Sequence, residues 1–179
     1  NNYLYYGLDN GLYRLRTDSV TLTNERIVGF PTIGAEVVQG VAVDLRNARV
    51  YFASRPSGVS GNGYIRRANL DGTGVTTIYT DTTTPWPTYL ALDVDNSHLY
   101  FTHGGEYGGV NSGDSIKRIN TNGSGETTIV TGVVAPIGLA YNPVRTELYW
   151  SERGATPRIR RTALNPVNPQ TIVPDVVAY

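Results

Sequence analysis

Leu148-Tyr149-Trp150 and its earlier counterparts Leu4-Tyr5-Tyr6, Val50-Tyr51-Phe52 and Leu99-Tyr100-Phe101 form an aliphatic-Tyr-aromatic triplet that occurs four times along the chain. The four tyrosines are spaced 46, 49 and 49 residues apart. Self-similarity at a fixed period is the signature of a repeat architecture, and ~40 to 50 residues is the length that four short strands of one sheet require.

Three further strands align around the triplet. A strand with alanine at a constant place precedes it at Val41-Ala42-Val43-Asp44, Leu90-Ala91-Leu92-Asp93 and Leu139-Ala140-Tyr141-Asn142. A half-buried strand follows it at Leu12-Tyr13-Arg14, Ile65-Arg66-Arg67, Ile116-Lys117-Arg118 and Ile159-Arg160-Arg161, alternating apolar and polar. An outer strand closes each unit at Arg26-Ile27-Val28, Thr77-Ile78-Tyr79, Thr128-Ile129-Val130 and Thr171-Ile172-Val173. Asp71-Gly72 and Asn122-Gly123 mark the turns between third and outer strands, because both central residues there take positive φ. No segment has sustained helical periodicity. We therefore expect an all-β β-propeller of four blades, each of four antiparallel strands, in a single domain over residues 1–179, with repeats starting near 4, 50, 99 and 148. Small alanines suit inner strands that converge on an axis. Residues 176–179 are expected to pair beside Leu4-Tyr5-Tyr6 and close the ring, since an unpaired sheet edge invites aggregation; the other possibility is an open fragment completed by another chain.

Composition narrows the partners. The 179 residues balance 15 cationic against 15 acidic side chains, and Lys117 is the one lysine. Cations scattered along the whole length argue against nucleic acid or a membrane surface, both of which call for a clustered basic face. No apolar run reaches the ~20 residues of a membrane span, so we expect a soluble protein. Cysteine and methionine are both absent. The first excludes disulfides and thiolate metal sites, and the second leads us to expect a processed chain or an excised domain. Asn122-Gly123-Ser124 is a candidate N-glycosylation acceptor.

The succession of Leu-Tyr-Trp, Ile-x-Arg, Leu-Asp-Gly, a short outer strand and Pro-x-Gly-Leu-Ala resembles the YWTD repeat of the low-density-lipoprotein receptor class B propellers. It runs through nearly the whole chain and is clearest at Pro136-Ile137-Gly138-Leu139-Ala140 and Leu148-Tyr149-Trp150-Ser151-Glu152. The resemblance implies an extracellular protein-docking propeller. Two departures stand out. The final Asp of the family tetrad is replaced by Leu8, Ser54, His103 or Glu152, and the family closes with six blades where four repeats are present here.

Loops between second and third strands and between outer and inner strands share one face, whereas the tight turns share the other. The long, irregular loops all belong to the first face. Elements that differ between copies are not dictated by the repeat, and loops on a rigid scaffold commonly carry function. The candidate ligand-binding residues on this face are Arg55, Asn62, Trp86, His103, Glu106, Tyr107, Glu152 and Arg153. Trp86 or Tyr107 could stack on a sugar or anchor a peptide side chain, with charged neighbours orienting it; Trp86, between two prolines, could equally cover the end of a blade. His103 reads as a structural histidine or a lone base, and no zinc pair is expected with His98 on the other face. Asp44, Asp93 and Asn142 occupy one repeat position, where they either cap their own turns or, in a lactonase-like propeller, hold an axial calcium ion. Arg14, Arg67, Arg118 and Arg161 recur in every copy, so we expect them to serve the blades. No nucleophile, zinc, phosphate-loop or EF-hand motif is present.

These readings converge on a secreted, non-enzymatic binding or scaffold module without a cofactor. Its expected partner is an extracellular protein or a glycan, with homo-oligomers also possible. The alternative is a calcium-dependent lactonase-like hydrolase.

Overall fold

In a computed structural model the described residues are 2–30, 36–58, 61–82, 86–104 and 114–173. They are all-β, without a helix, in four antiparallel sheets. The chain divides into two compact units, Asn1–Trp86 and Pro87–Tyr179, each holding two sheets.

In the first unit β1 (Tyr3–Leu8), β2 (Gly11–Arg16) and β3 (Asn24–Gly29) form one sheet, and β4 (Glu36–Asp44), β5 (Arg49–Pro56), β6 (Gly63–Asn69) and β7 (Thr76–Asp81) form the next. In the second unit the sheets are β8 (Pro87–Asp93), β9 (His98–His103), β10 (Ser115–Asn120) and β11 (Thr127–Thr131), then β12 (Pro136–Asn142), β13 (Glu147–Glu152), β14 (Arg158–Ala163) and β15 (Gln170–Val173). Each is an up-and-down meander, the blade of a β-propeller. Fifteen of the sixteen strands expected of four four-stranded blades are present among the described residues. The first sheet has three strands; the tail expected to supply a fourth, residues 176–179, lies outside the described residues.

The aromatic triplets become β1, β5, β9 and β13, and their burial explains their composition. Val50, Tyr51, Phe52 and Ala53 are all buried, as are Leu99, Tyr100 and Phe101, because a second strand is covered on both faces. In the first unit, Tyr5, Leu12 and Val28 pack on Val38, Val50 and Phe52. In the second, Ala91, Tyr100 and Ile116 pack with Leu148 and Trp150. Each Val, Leu, Ile or Phe side chain so buried contributes about 1.5–3 kcal/mol of transfer free energy. Outer strands are covered far less: β3 and β11 each bury a single valine, and β15 is exposed throughout.

One regularity was hidden in the sequence. Every pairing of third with outer strand shifts register at the same place, between Leu12 and Tyr13, Ile65 and Arg66, Ile116 and Lys117, and Ile159 and Arg160. The residue left unpaired is the recurrent isoleucine, Ile27, Ile78, Ile129 or Ile172. A bulge at this point bends and twists the strand, so the recurring Ile marks a built-in bend of each blade edge.

Candidate functional site

The turns joining inner to second strands show what Asp44, Asp93 and Asn142 do. Asp44 is buried and accepts hydrogen bonds from the Asn47 backbone N–H at 2.9 Å and its Nδ2 at 2.8 Å. Asp93 repeats this with Asn96, at 3.2 and 2.8 Å. The Oδ1 of Asn142 accepts from the backbone of Val144 and Arg145. Both oxygens of each carboxylate and the amide oxygen of Asn142 are thus engaged in turns whose last residue, Ala48, Ser97 or Thr146, has φ near +50°. Each of the three side chains caps its own turn, and among the described residues no three His, Cys, Asp or Glu side chains cluster as metal ligands.

The ends of the second strands face the irregular loops. Here Glu152 is buried, with its side chain 1% exposed. Its Oε1 accepts from Trp150 Nε1 at 2.9 Å and Arg160 Nη1 at 3.1 Å, and its Oε2 from Arg158 Nε at 2.8 Å. Arg160 also lies over the Trp150 ring. The first unit reaches the same pairing by another route. Ser54 stands where Glu152 stands in its own repeat, and Glu36 brings the missing carboxylate to it from β4. Glu36 accepts from Ser54 Oγ at 2.8 Å and from Arg66 at 2.6 and 3.1 Å, while Arg66 stacks on Tyr64. Glu36 escaped the sequence reading because it lies outside the repeat alignment.

The remaining loop-face candidates divide by exposure. Arg55 is buried, its Nε on Gln39 and its Nη1 on the Pro56 carbonyl at 2.6 Å. Trp86 is 4% exposed and donates its Nε1 to the Gly61 carbonyl at 3.1 Å, which favours the blade-end cover over a stacking platform. His103 is buried at the end of β9, in register with Pro87 and Ser115. Asn62 is half-buried and Arg153 is exposed, anchored by its backbone N–H on Ala135 O. Glu106 and Tyr107 lie outside the described residues. Asp114, which sequence reasoning passed over as a loop end, is buried and accepts from the Ala135 N–H at 2.9 Å, tying the two sheets of the second unit together. Asn122 is exposed, and its Oδ1 accepts from Ser124, leaving its Nδ2, where a glycan would attach, outside those bonds.

The tight-turn end of the first unit holds a cleft of about 560 Å³. Leu45, Ala48 and Arg49 line it from one turn, Asn69, Leu70 and Asp71 from the next, and Tyr5 and Arg14 from the first sheet. Arg14 bridges the two sheets, donating to Glu25 at 2.7 Å and to the Leu70 carbonyl at 3.0 Å. The Glu25 hydrogen bond, more than any other influence, holds its guanidinium charged. Asp71 is turned into its own loop, where hydrogen bonds from Thr73 lower its pKa. In the second unit the corresponding end carries Tyr141 stacked on Tyr100 at 5.6 Å. Burial, then the hydrogen bond to Asp93, pushes the Tyr141 hydroxyl up to about 12, and burial lowers the His98 pKa.

No protein-family model matches the sequence. Among solved structures, a chain of a nidogen/laminin complex superposes with a TM-score of 0.78 and 24% identity, over 98% of this chain and 63% of that one. An oligogalacturonate lyase in complex with manganese follows at 0.64 and 14%, over 97% and 50%. TolB from Acinetobacter baumannii gives 0.59 and 13%, over 95% and 44%. The chain thus spans less than two thirds of the length of each of these neighbours. Likeness at these identities establishes the fold, and the fold is that of a β-propeller.

Proposed function

We propose that this chain is a non-enzymatic, secreted binding module, a single YWTD-type propeller domain that docks an extracellular protein through its irregular-loop face. The observation that carries the reading is how the chemistry-bearing side chains are used. Glu152 is neutralised by two guanidiniums and an indole N–H, Arg55 and Trp86 are spent on backbone carbonyls, and Asp44 and Asp93 cap turns. Such groups build a rigid scaffold, and a scaffold presenting loops is suited to recognition. The likeness to a chain of a nidogen/laminin complex supports a protein partner over a glycan.

The test is surface plasmon resonance of the purified chain against immobilised laminin and a panel of extracellular matrix proteins, run beside a glycan array. Turnover of oligogalacturonates and lactones is assayed in parallel with calcium or manganese added. Saturable binding to a protein that falls at least tenfold on Arg153→Glu supports the reading. Metal-dependent turnover of either substrate class overturns it, as does binding confined to glycans.

A further inference from the structure

The cleft at the tight-turn end of the first unit lies on the face opposite the irregular loops, and the docking reading makes no use of it. Its chemistry turns on Arg49. The guanidinium donates through Nη1 to Asn69 Oδ1 at 2.6 Å and to the Ala48 carbonyl at 3.2 Å, both neutral acceptors. Its Nε and Nη2 make no bond to any described residue. Arg14, the other guanidinium of the cleft, is compensated by Glu25, and the Asp71 carboxylate is held by Thr73. Among the described residues, then, the Arg49 guanidinium keeps two donors without an acceptor, at an open cleft.

The repeat shows that this cation is not needed to build a blade. Arg49 opens β5 opposite Asn69, and the same register position is held by Tyr3, His98 and Glu147 in the other copies. Arg14, Arg67, Arg118 and Arg161, by contrast, each stand opposite the tyrosine of their aromatic triplet. A position that runs through neutral, cationic, titratable and anionic residues is free of the architecture.

We propose that this cleft is a second recognition site, taking an acidic residue flanked by an apolar one from a partner polypeptide. The carboxylate pairs with Nε and Nη2 of Arg49, the planar fork that binds carboxylates bidentately. The apolar neighbour packs on Leu45, which is 59% exposed at the rim, and on Leu70. A uronate sugar offers the same carboxylate, yet it also calls for an aromatic face to stack on. Among the described lining residues the one ring, Tyr5, is 8% exposed with its hydroxyl tied to the Leu70 carbonyl. A peptide is therefore the better fit.

Two-dimensional NMR titration of the intact chain tests this with three probes: Ac-Leu-Glu-Leu-NH2, Ac-Leu-Gln-Leu-NH2 and digalacturonate. The Glu peptide is expected to shift the Ala48, Arg49, Asn69 and Leu70 amides saturably, and about tenfold more tightly than the Gln peptide. Arg49→Gln should weaken the Glu peptide about tenfold and erase the preference, whereas Leu45→Ser should weaken both peptides and keep it. Equal binding of the two peptides, indifference to Arg49→Gln, tighter binding of digalacturonate at these amides, or no shift with any probe overturns the proposal. Should Arg49→Gln fail to fold, the peptide comparison on the native chain and on Leu45→Ser, altered at an exposed side chain, still decides.

Discussion

Replacing Glu152 with Gln separates a scaffold residue from a ligand-binding one. The native carboxylate is almost fully buried and receives hydrogen bonds from Trp150, Arg158 and Arg160. Glutamine keeps the shape and one acceptor, but it turns an NH2 toward guanidinium donors. The guanidiniums of Arg158 and Arg160, at 31% and 16% side-chain exposure, then lose their counter-ion. Removing one partner of a buried pair costs about 3–5 kcal/mol; partial solvation of Arg158 places the cost near the lower end, about 3 kcal/mol. For a chain of this size that lowers Tm by about 6–12 °C. The two tryptophans fall one in each compact unit, Trp86 in the first and Trp150 in the second. Tryptophan fluorescence in a Trp86→Phe background therefore reads the second unit alone, through the ring whose N–H the carboxylate holds. A Tm change under 2 °C, with partner binding lost instead, would refute the structural assignment of Glu152.

Two further predictions test the packing within each unit. At Gly72 φ is +86°, and a Cβ would sit on the Ile27 carbonyl, 2.6 Å from its carbon and 2.8 Å from the Ile27 Cβ; at Gly132, with φ +67°, a Cβ meets nothing. Gly132→Ala should cost about 1–2 kcal/mol for the left-handed backbone, and Gly72→Ala at least about 2 kcal/mol more in urea unfolding; equal costs would mean that β3 does not pack against that turn. The Tyr141 hydroxyl, held near 12 against an ordinary value near 10, stabilises the fold fully below pH 10, and this contribution is lost as pH rises from 10 toward 12. Discounted for partial solvation, the loss is about 1 kcal/mol; Tyr141→Phe should flatten the alkaline limb of the urea-stability profile, and an unchanged limb would contradict the stacking and hydrogen bonding described.

The blades were legible because second strands are apolar on both faces, so that their triplet survives in every copy, and because Asp-Gly and Asn-Gly turns announce their hairpins. Register was not legible. The bulge opposite Tyr13, Arg66, Lys117 and Arg160 carries no glycine or proline, and the isoleucine it extrudes reads as an ordinary strand residue. The burial of the loop-face side chains was not visible in the sequence. Glu152, Arg55 and Trp86 turn inward because a strand end needs its polar groups satisfied, which composition cannot reveal. Glu36 and Asp114 were missed for a related reason: each acts on a residue of another strand or a neighbouring sheet, and only tertiary structure brings them together.

The two carboxylate–arginine pairs show what the repeat demands and what it leaves open. Arg66 and Arg160 stand at the same register position, opposite Phe52 and Trp150. Each is buried enough that a lone guanidinium would be costly, so each copy must find an acid. The fourth copy takes it from the strand end, at Glu152; the second has Ser54 there and recruits Glu36 from β4. In the third copy the position is Lys117, which reaches the exposed Glu126 at 2.8 Å and leaves His103 at the strand end without that duty. An arginine opposite the aromatic is thus paired with an acid in both copies, supplied by the strand end as Glu152 in one and by β4 as Glu36 in the other. By the same logic a charge that answers no such demand is the informative one. Among the described residues Arg49 pairs with no acid, its position differs in every other copy, and it opens on a cleft, which sets it apart from Arg66 and Arg160.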